Sequence, residues 1–118
     1  MKGKVVIQNL ERYSATFDQI GHPLRLQILL ILHGSKYTHS SDQKCLKLDE
    51  IREVLQLDVE SDEKLIYHIN KLIDAGLVEK IPKKNERDEW DFPYYKVTSK
   101  WIEFADAFNI TKIVEKCL

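Results

Sequence analysis

Cysteine is scarce in this chain: Cys45 and Cys117 are the only two among 118 residues. Two thiols so far apart make neither a disulfide framework nor a zinc cluster, and their plain reading is two half-buried thiols. Cys117, one residue from the end of the sequence on an expected helix, could bridge two copies across a dimer axis. Long apolar runs are missing as well. The longest, Ile28 to Leu32, falls far short of the roughly 20 residues a membrane span needs, and MKGKVVIQNLER has no secretory apolar core. The expectation is a cytoplasmic protein with no membrane partner, in which the sequon Asn109-Ile110-Thr111 is a chance match.

Glycine and proline are few, four and three, and no glycines gather into a phosphate-cradling loop. No nucleophile stands at motif spacing from a base, and no carboxylate pair sits in an apolar setting, which argues against an enzyme. An excess of basic charge is lacking too: 18 Lys and Arg face 19 Asp and Glu, a formal net charge of −1. Any contact with nucleic acid must then come from the local arrangement of charge. Four histidines, His22, His33, His39 and His68, are scattered, whereas zinc needs three or four converging donors. No metal or cofactor is expected, and His68, at the border of an apolar face, reads as a packed or hydrogen-bonded side chain.

What is present is regular. The length predicts one domain, able to remove roughly two-thirds of its unfolded surface from water. Leu10, Tyr13, Phe17 and Ile20 have helical spacing and stop at Gly21. Pro23 opens a nearly all-apolar helix over 24–32, with Gly34 just past its end. Such a helix belongs in the middle of a core, or between a core and a second subunit, and the centre of the fold is the expectation here. Residues 33 to 45 carry no periodicity and read as an exposed loop. A short strand over 45–48 leads to a helix over 49–56, capped by Asp49, with Ile51, Val54 and Leu55 on the buried face.

After a polar, acidic turn, Ser61 is a competent cap for a further helix. Leu65, Ile69, Leu72 and Ile73 share its inner face, while Glu63, Lys64, Tyr67, Asn70, Lys71 and Asp74 fall on the opposite one. Gly76 ends it. Leu77 to Ile81 and Phe92 to Val97 read as two strands of a hairpin around a charged tip, 83–91, with Pro82 and Pro93 at strand ends. Of Tyr94 and Tyr95, the period-two pattern sends one inward and one over the hairpin. Thr98 or Ser99 caps a last helix with Trp101, Phe104, Ala105 and Phe108 as an aromatic stripe. A bend near Asn109, or a fresh helix capped at Asn109 or Thr111, then turns Ile113, Val114, Cys117 and Leu118 into a second patch.

Helix, helix, short strand, helix, turn, helix and a hairpin is the order of a winged helix-turn-helix: mainly α, a three-helix core plus wing, flanked by N- and C-terminal helices. The segments GHPLRLQILLIL (21–32), LKLDEIREVLQL (46–57), LIYHINKLIDAGLVEK (65–80) and YYKVTSKWIEF (94–104) resemble the ArsR-like winged-helix transcription regulators over roughly residues 9 to 105. The resemblance implies a homodimer on operator DNA, with the helix-turn-helix at about 49–75, the wing at about 77–97 and a dimerisation helix at about 99–117. It assigns Lys64, Tyr67, Asn70 and Lys71 to the groove-facing side of the recognition helix and Lys83, Lys84 and Arg87 to the wing. Tyr67 and Asn70 would reach base edges, and the cations would hold phosphates.

Three features depart from the family pattern. The turn before the recognition helix is about three residues longer than usual, with Gln56 where glycine is common. Asp58, Glu60, Asp62 and Glu63 crowd the start of that helix, where they suit its dipole and repel phosphate. The net charge is slightly negative. A winged helix used only as a protein-binding module is the competing reading, since acids there would suit a basic partner. Trp90, among charges at the hairpin tip, could pack on the wing, meet a partner subunit or touch DNA.

Overall fold

Pro23 stands at the first position of a 16-residue helix in the computed structural model, which describes residues 12–38, 46–82, 84, 86–89 and 93–110. Its fixed backbone angle suits that position, and its missing N–H would lack a helical partner there anyway. A short helix α1 (Ser14–Gln19) precedes it, and this longer one is α2 (Pro23–Thr38). Strand β1 (Leu46–Lys47), α3 (Leu48–Val54), a single 3-10 turn (Val59–Ser61), α4 (Asp62–Asp74), β2 (Val78–Ile81), β3 (Tyr94–Val97) and α5 (Ser99–Ala107) follow.

The apolar density of α2 places it at the centre, as expected. Ile28, Leu29 and Leu32 are fully buried, together with Ile51 of α3, Leu65, Ile69 and Leu72 of α4, Leu77, and Trp101 of α5. The helix packs against both α4 and β3. It does not stop at Gly34, however. Residues 33 to 38 are helical rather than part of an exposed loop, and Gly34 is buried within the helix. A contact distant in sequence accounts for the extension: buried His33 accepts a hydrogen bond at Nδ1 from the Trp101 indole N–H, 3.1 Å away. That contact offsets the roughly 1 kcal/mol an interior glycine costs a helix.

The hairpin acquires a third strand. The sheet order is β1-β3-β2, all antiparallel, with Leu46 opposite Tyr95 and Val78 opposite Val97. Tyr95 is buried under the sheet, and Tyr94 lies half-covered with Lys47 Nζ 5.2 Å from its ring centre, which is the expected division of the pair. At the far end, α1 and α5 meet through aromatic edges: Tyr13 on Phe104 at 5.4 Å, and Phe17 on Phe104 and Phe108 at 5.1 Å each. Arg12 and Glu103 pair across the rim. Asn109 takes a left-handed conformation (φ 60°) as its N–H bonds the Asp106 carbonyl, so the chain turns where the bend was expected. The second patch, from 113 onward, lies outside the described residues, as do Cys45, Cys117, His39 and Trp90. No helix among the described residues is long and apolar enough to cross a membrane.

Candidate nucleic-acid interface

Glu50 starts the helix-turn-helix by reaching back to accept the Lys47 N–H at 3.0 Å. The helix therefore begins at Leu48, and Asp49 is not its cap but a first-turn residue whose carboxylate accepts the Glu50 N–H. Ile51 is buried and Leu55 half-buried, but Val54 is 60% exposed, so the inner face of α3 is narrower than its spacing predicts. Gln56 then takes φ 57°, the left-handed region that favours glycine. Its N–H bonds the Glu53 carbonyl while the Leu57 N–H bonds that of Arg52, a complete Schellman closure of α3.

The long turn is filled by the 3-10 segment, closed by the Ser61 N–H on the Asp58 carbonyl. Ser61 does not cap α4: it sits in helical conformation, and its side chain makes no capping bond. What anchors the start of α4 is Arg52, whose Nη1 donates to both oxygens of Asp62 at 2.9 Å. The acids at this helix start are therefore unequal. Asp62 is paired and largely covered, while Asp58, Glu60 and Glu63 are exposed.

Two further points hold α4. In its middle, His68 is buried and accepts at Nδ1 from Arg25 Nε of α2 at 3.1 Å. Burial, then the charges of His22, Arg25 and Lys64, hold its pKa below the ordinary value. At its end, Gly76 (φ 76°) makes a second Schellman closure with the Ile73 carbonyl, and the Leu77 N–H reaches that of Leu72. The first turn of α5 bolts onto this terminus: Thr98 Oγ1 donates to the Gly76 carbonyl at 2.6 Å and Lys100 Nζ to the Ala75 carbonyl at 2.9 Å. Thr98 also caps α5, as expected, by accepting the Trp101 N–H.

Held in this way, α4 turns Leu65, Ile69 and Leu72 inward, with Ile73 half-buried, and leaves Lys64, Tyr67, Asn70 and Lys71 exposed together, with Glu63 and Asp74 at the ends of the row. Tyr67 is 54% exposed, and Lys71 Nζ lies 5.5 Å from its ring centre. Ile66, 39% exposed beside this row, escaped the periodic reading. On the wing, Lys84 is exposed and pairs with Asp88 at 3.3 Å, and Arg87 is exposed in the following turn. Lys83 lies outside the described residues. Within the sheet, Lys96 pairs with Glu79 at 3.7 Å. His22, Arg25, Arg52 and Lys100 carried no local signal of their parts in this arrangement, because each acts on a residue of another element. Among the described residues, no group of three or more His, Cys, Asp and Glu side chains could hold a metal ion.

No protein-family model and no curated protein matches the chain. Solved structures do. A protein with a GntR-superfamily winged-helix-turn-helix domain from Halomicrobium mukohataei is 24% identical with a TM-score of 0.64, over 92% of this chain and 68% of that one. A transcriptional regulator homologue from Pyrococcus horikoshii OT3 is 23% identical with a TM-score of 0.59, over 92% and 95%. The YusO protein of Bacillus subtilis is 18% identical with a TM-score of 0.52, over 97% and 70%. At these identities the likeness speaks for architecture, and with the element order above it establishes that this chain has the winged helix-turn-helix fold.

Proposed function

We propose that the protein is a sequence-specific regulator of transcription that binds double-stranded DNA as a homodimer, with α4 in the major groove and the wing on the backbone or minor groove. The observation that carries this reading is the row Lys64, Tyr67, Asn70 and Lys71, exposed on a helix whose other face is sunk in the core and which is braced at its start, middle and end. A site on so rigid an element can hold the angular tolerance that base reading requires. Asn70 suits bidentate bonding to adenine, Tyr67 meets a base edge, and Lys64, Lys71, Lys83, Lys84 and Arg87 hold phosphates. Solved structures that resemble this chain and are described as a transcriptional regulator or a homologue of one support the reading. Among such regulators, the segments at 21–32 and 65–80 favour the ArsR-like kind, working in the cytoplasm as one domain. Dimerisation falls to α1 and the segment 99–117, where Phe17 keeps 37% of its surface exposed on the aromatic stripe.

A protein-binding role is the second reading. Val54 and Val59, 60% and 68% exposed, flank the acidic entry to α4, a combination that suits a basic, apolar partner. Selection of bound duplexes from a random DNA pool separates the two. The regulator yields an enriched motif in two half-sites whose spacing reports the dimer, whereas a pool with no enrichment favours the second reading.

A further inference from the structure

The basic surface beside the recognition helix continues onto a neighbouring element. His22, just ahead of α2, lays its ring on that of His68, with centres 4.2 Å apart and planes tilted by 31°. His68 meets Tyr67 edge to face at 5.2 Å, and Tyr67 carries Lys71. A row of side chains thus runs without a break from the entry of α2 across α4 to the groove-facing positions.

Hydrogen bonding determines which atoms this row offers outward. His22 Nδ1 accepts the Leu24 N–H at 3.1 Å, so the neutral ring carries its proton on Nε2, a donor on an exposed side chain. Arg25 commits Nε to His68 and Nη1 to the Gln19 carbonyl at 3.0 Å, which leaves the other arm of its fork, on a half-buried side chain, for an outside acceptor. Lys64 adds its charge from α4, and after burial the charges of His22, Arg25 and Lys64 are what hold the His68 pKa below its ordinary value. Donors and positive charge gathered outside the base-reading row are the chemistry of phosphate holding.

We infer that His22 and Arg25 form a contact with a DNA backbone phosphate, so that the interface spans the entry of α2 as well as α4 and the wing. The inference rests on the DNA-binding reading above. It fixes the register of α4 in the groove, because a phosphate held at His22 lies one ring stack and one edge contact away from Tyr67.

The test uses a duplex recovered from the random-pool selection, with its phosphates replaced one at a time by uncharged methylphosphonates. Wild type should lose roughly five- to tenfold in affinity when one particular phosphate of a half-site is neutralised. His22→Ala should be weaker on the unmodified duplex and should lose less than wild type when that phosphate is neutralised. A His22→Ala protein with the wild-type phosphate profile, on a duplex that wild type binds, overturns the inference and leaves the DNA reading standing. Wild type that binds no duplex overturns both. Arg25→Lys, melted in parallel, separates positioning from contact: a lower melting midpoint with an unchanged phosphate profile removes Arg25 from the contact.

Discussion

Arg52 and Asp62 are joined by two hydrogen bonds from a single guanidinium nitrogen, each 2.9 Å, and the pair ties α3 to the first turn of α4 across an unusually long turn. Their side chains are 22% and 26% exposed, so the pair is partly shielded from solvent and salt. It fixes the angle between the two helices and neutralises one of the acids that would repel phosphate. Arg52→Ala should cost about 1–2 kcal/mol of stability and, on the proposed DNA-binding reading, weaken DNA binding further, since it frees a carboxylate beside the proposed contact face. The charge swap Arg52→Asp with Asp62→Arg should recover much of both. Denaturant titration and DNA titration on the three proteins check this, and DNA affinity untouched by Arg52→Ala would remove the pair from the positioning of α4.

Gln56 occupies a backbone conformation that costs an L-residue roughly 1–2 kcal/mol, against the smaller entropic cost of glycine. Gln56→Gly should therefore stabilise the protein by about 0.5–1 kcal/mol and raise its melting midpoint by roughly 2–6 °C. A lower midpoint would mean that the glutamine side chain supplies something beyond its backbone.

His68 links stability to pH. Burial first, then nearby positive charge, favours its neutral ring, so the folded protein takes up this proton less readily than the unfolded chain does. The stability tied to the neutral ring is present above the ordinary value of 6.5 and is lost as pH falls from there through the folded value. Melting midpoints should fall between about pH 7.5 and about pH 5 by more in wild type than in His68→Gln, whose amide oxygen still accepts from Arg25. Equal falls would place the acid sensitivity elsewhere.

Groove and wing residues should separate by the kind of change they produce. Lys84→Ala with Arg87→Ala should weaken binding about equally on every duplex and flatten its salt dependence. Asn70→Ala should instead relax sequence preference at one position of each half-site, at a cost of about 1–3 kcal/mol on the preferred duplex. Competition binding on matched and mismatched duplexes distinguishes them, and a uniform loss from Asn70→Ala would mean that Asn70 holds backbone rather than base.

The exposed row of α4 was legible because it needs only helical period: once Leu65, Ile69 and Leu72 point inward, Lys64, Tyr67, Asn70 and Lys71 must point out. Gly76 and Thr98 were legible for a similar reason, since a left-handed closure and a hydroxyl cap are local chemistry. Ser61 and Asp49 had the same chemistry and are not caps, because Arg52 holding Asp62 and Glu50 reaching Lys47 secure those helix starts another way. Val54 matched the period, but α3 buries only a narrow stripe and leaves it in solvent.

Period, capping residues and the position of proline and glycine were enough to specify the order of elements and the outward face of the recognition helix, since those depend on neighbours within a few residues. The length of α2 past Gly34, the pairing of β1 with β3 beside Tyr95, the clamp on Asp62 and the stacking of His22 on His68 were decided only when distant segments met. Each depends on a partner from another element, 68 positions away for His33 and Trp101. Side chains brought together by packing leave no periodic trace in either segment alone.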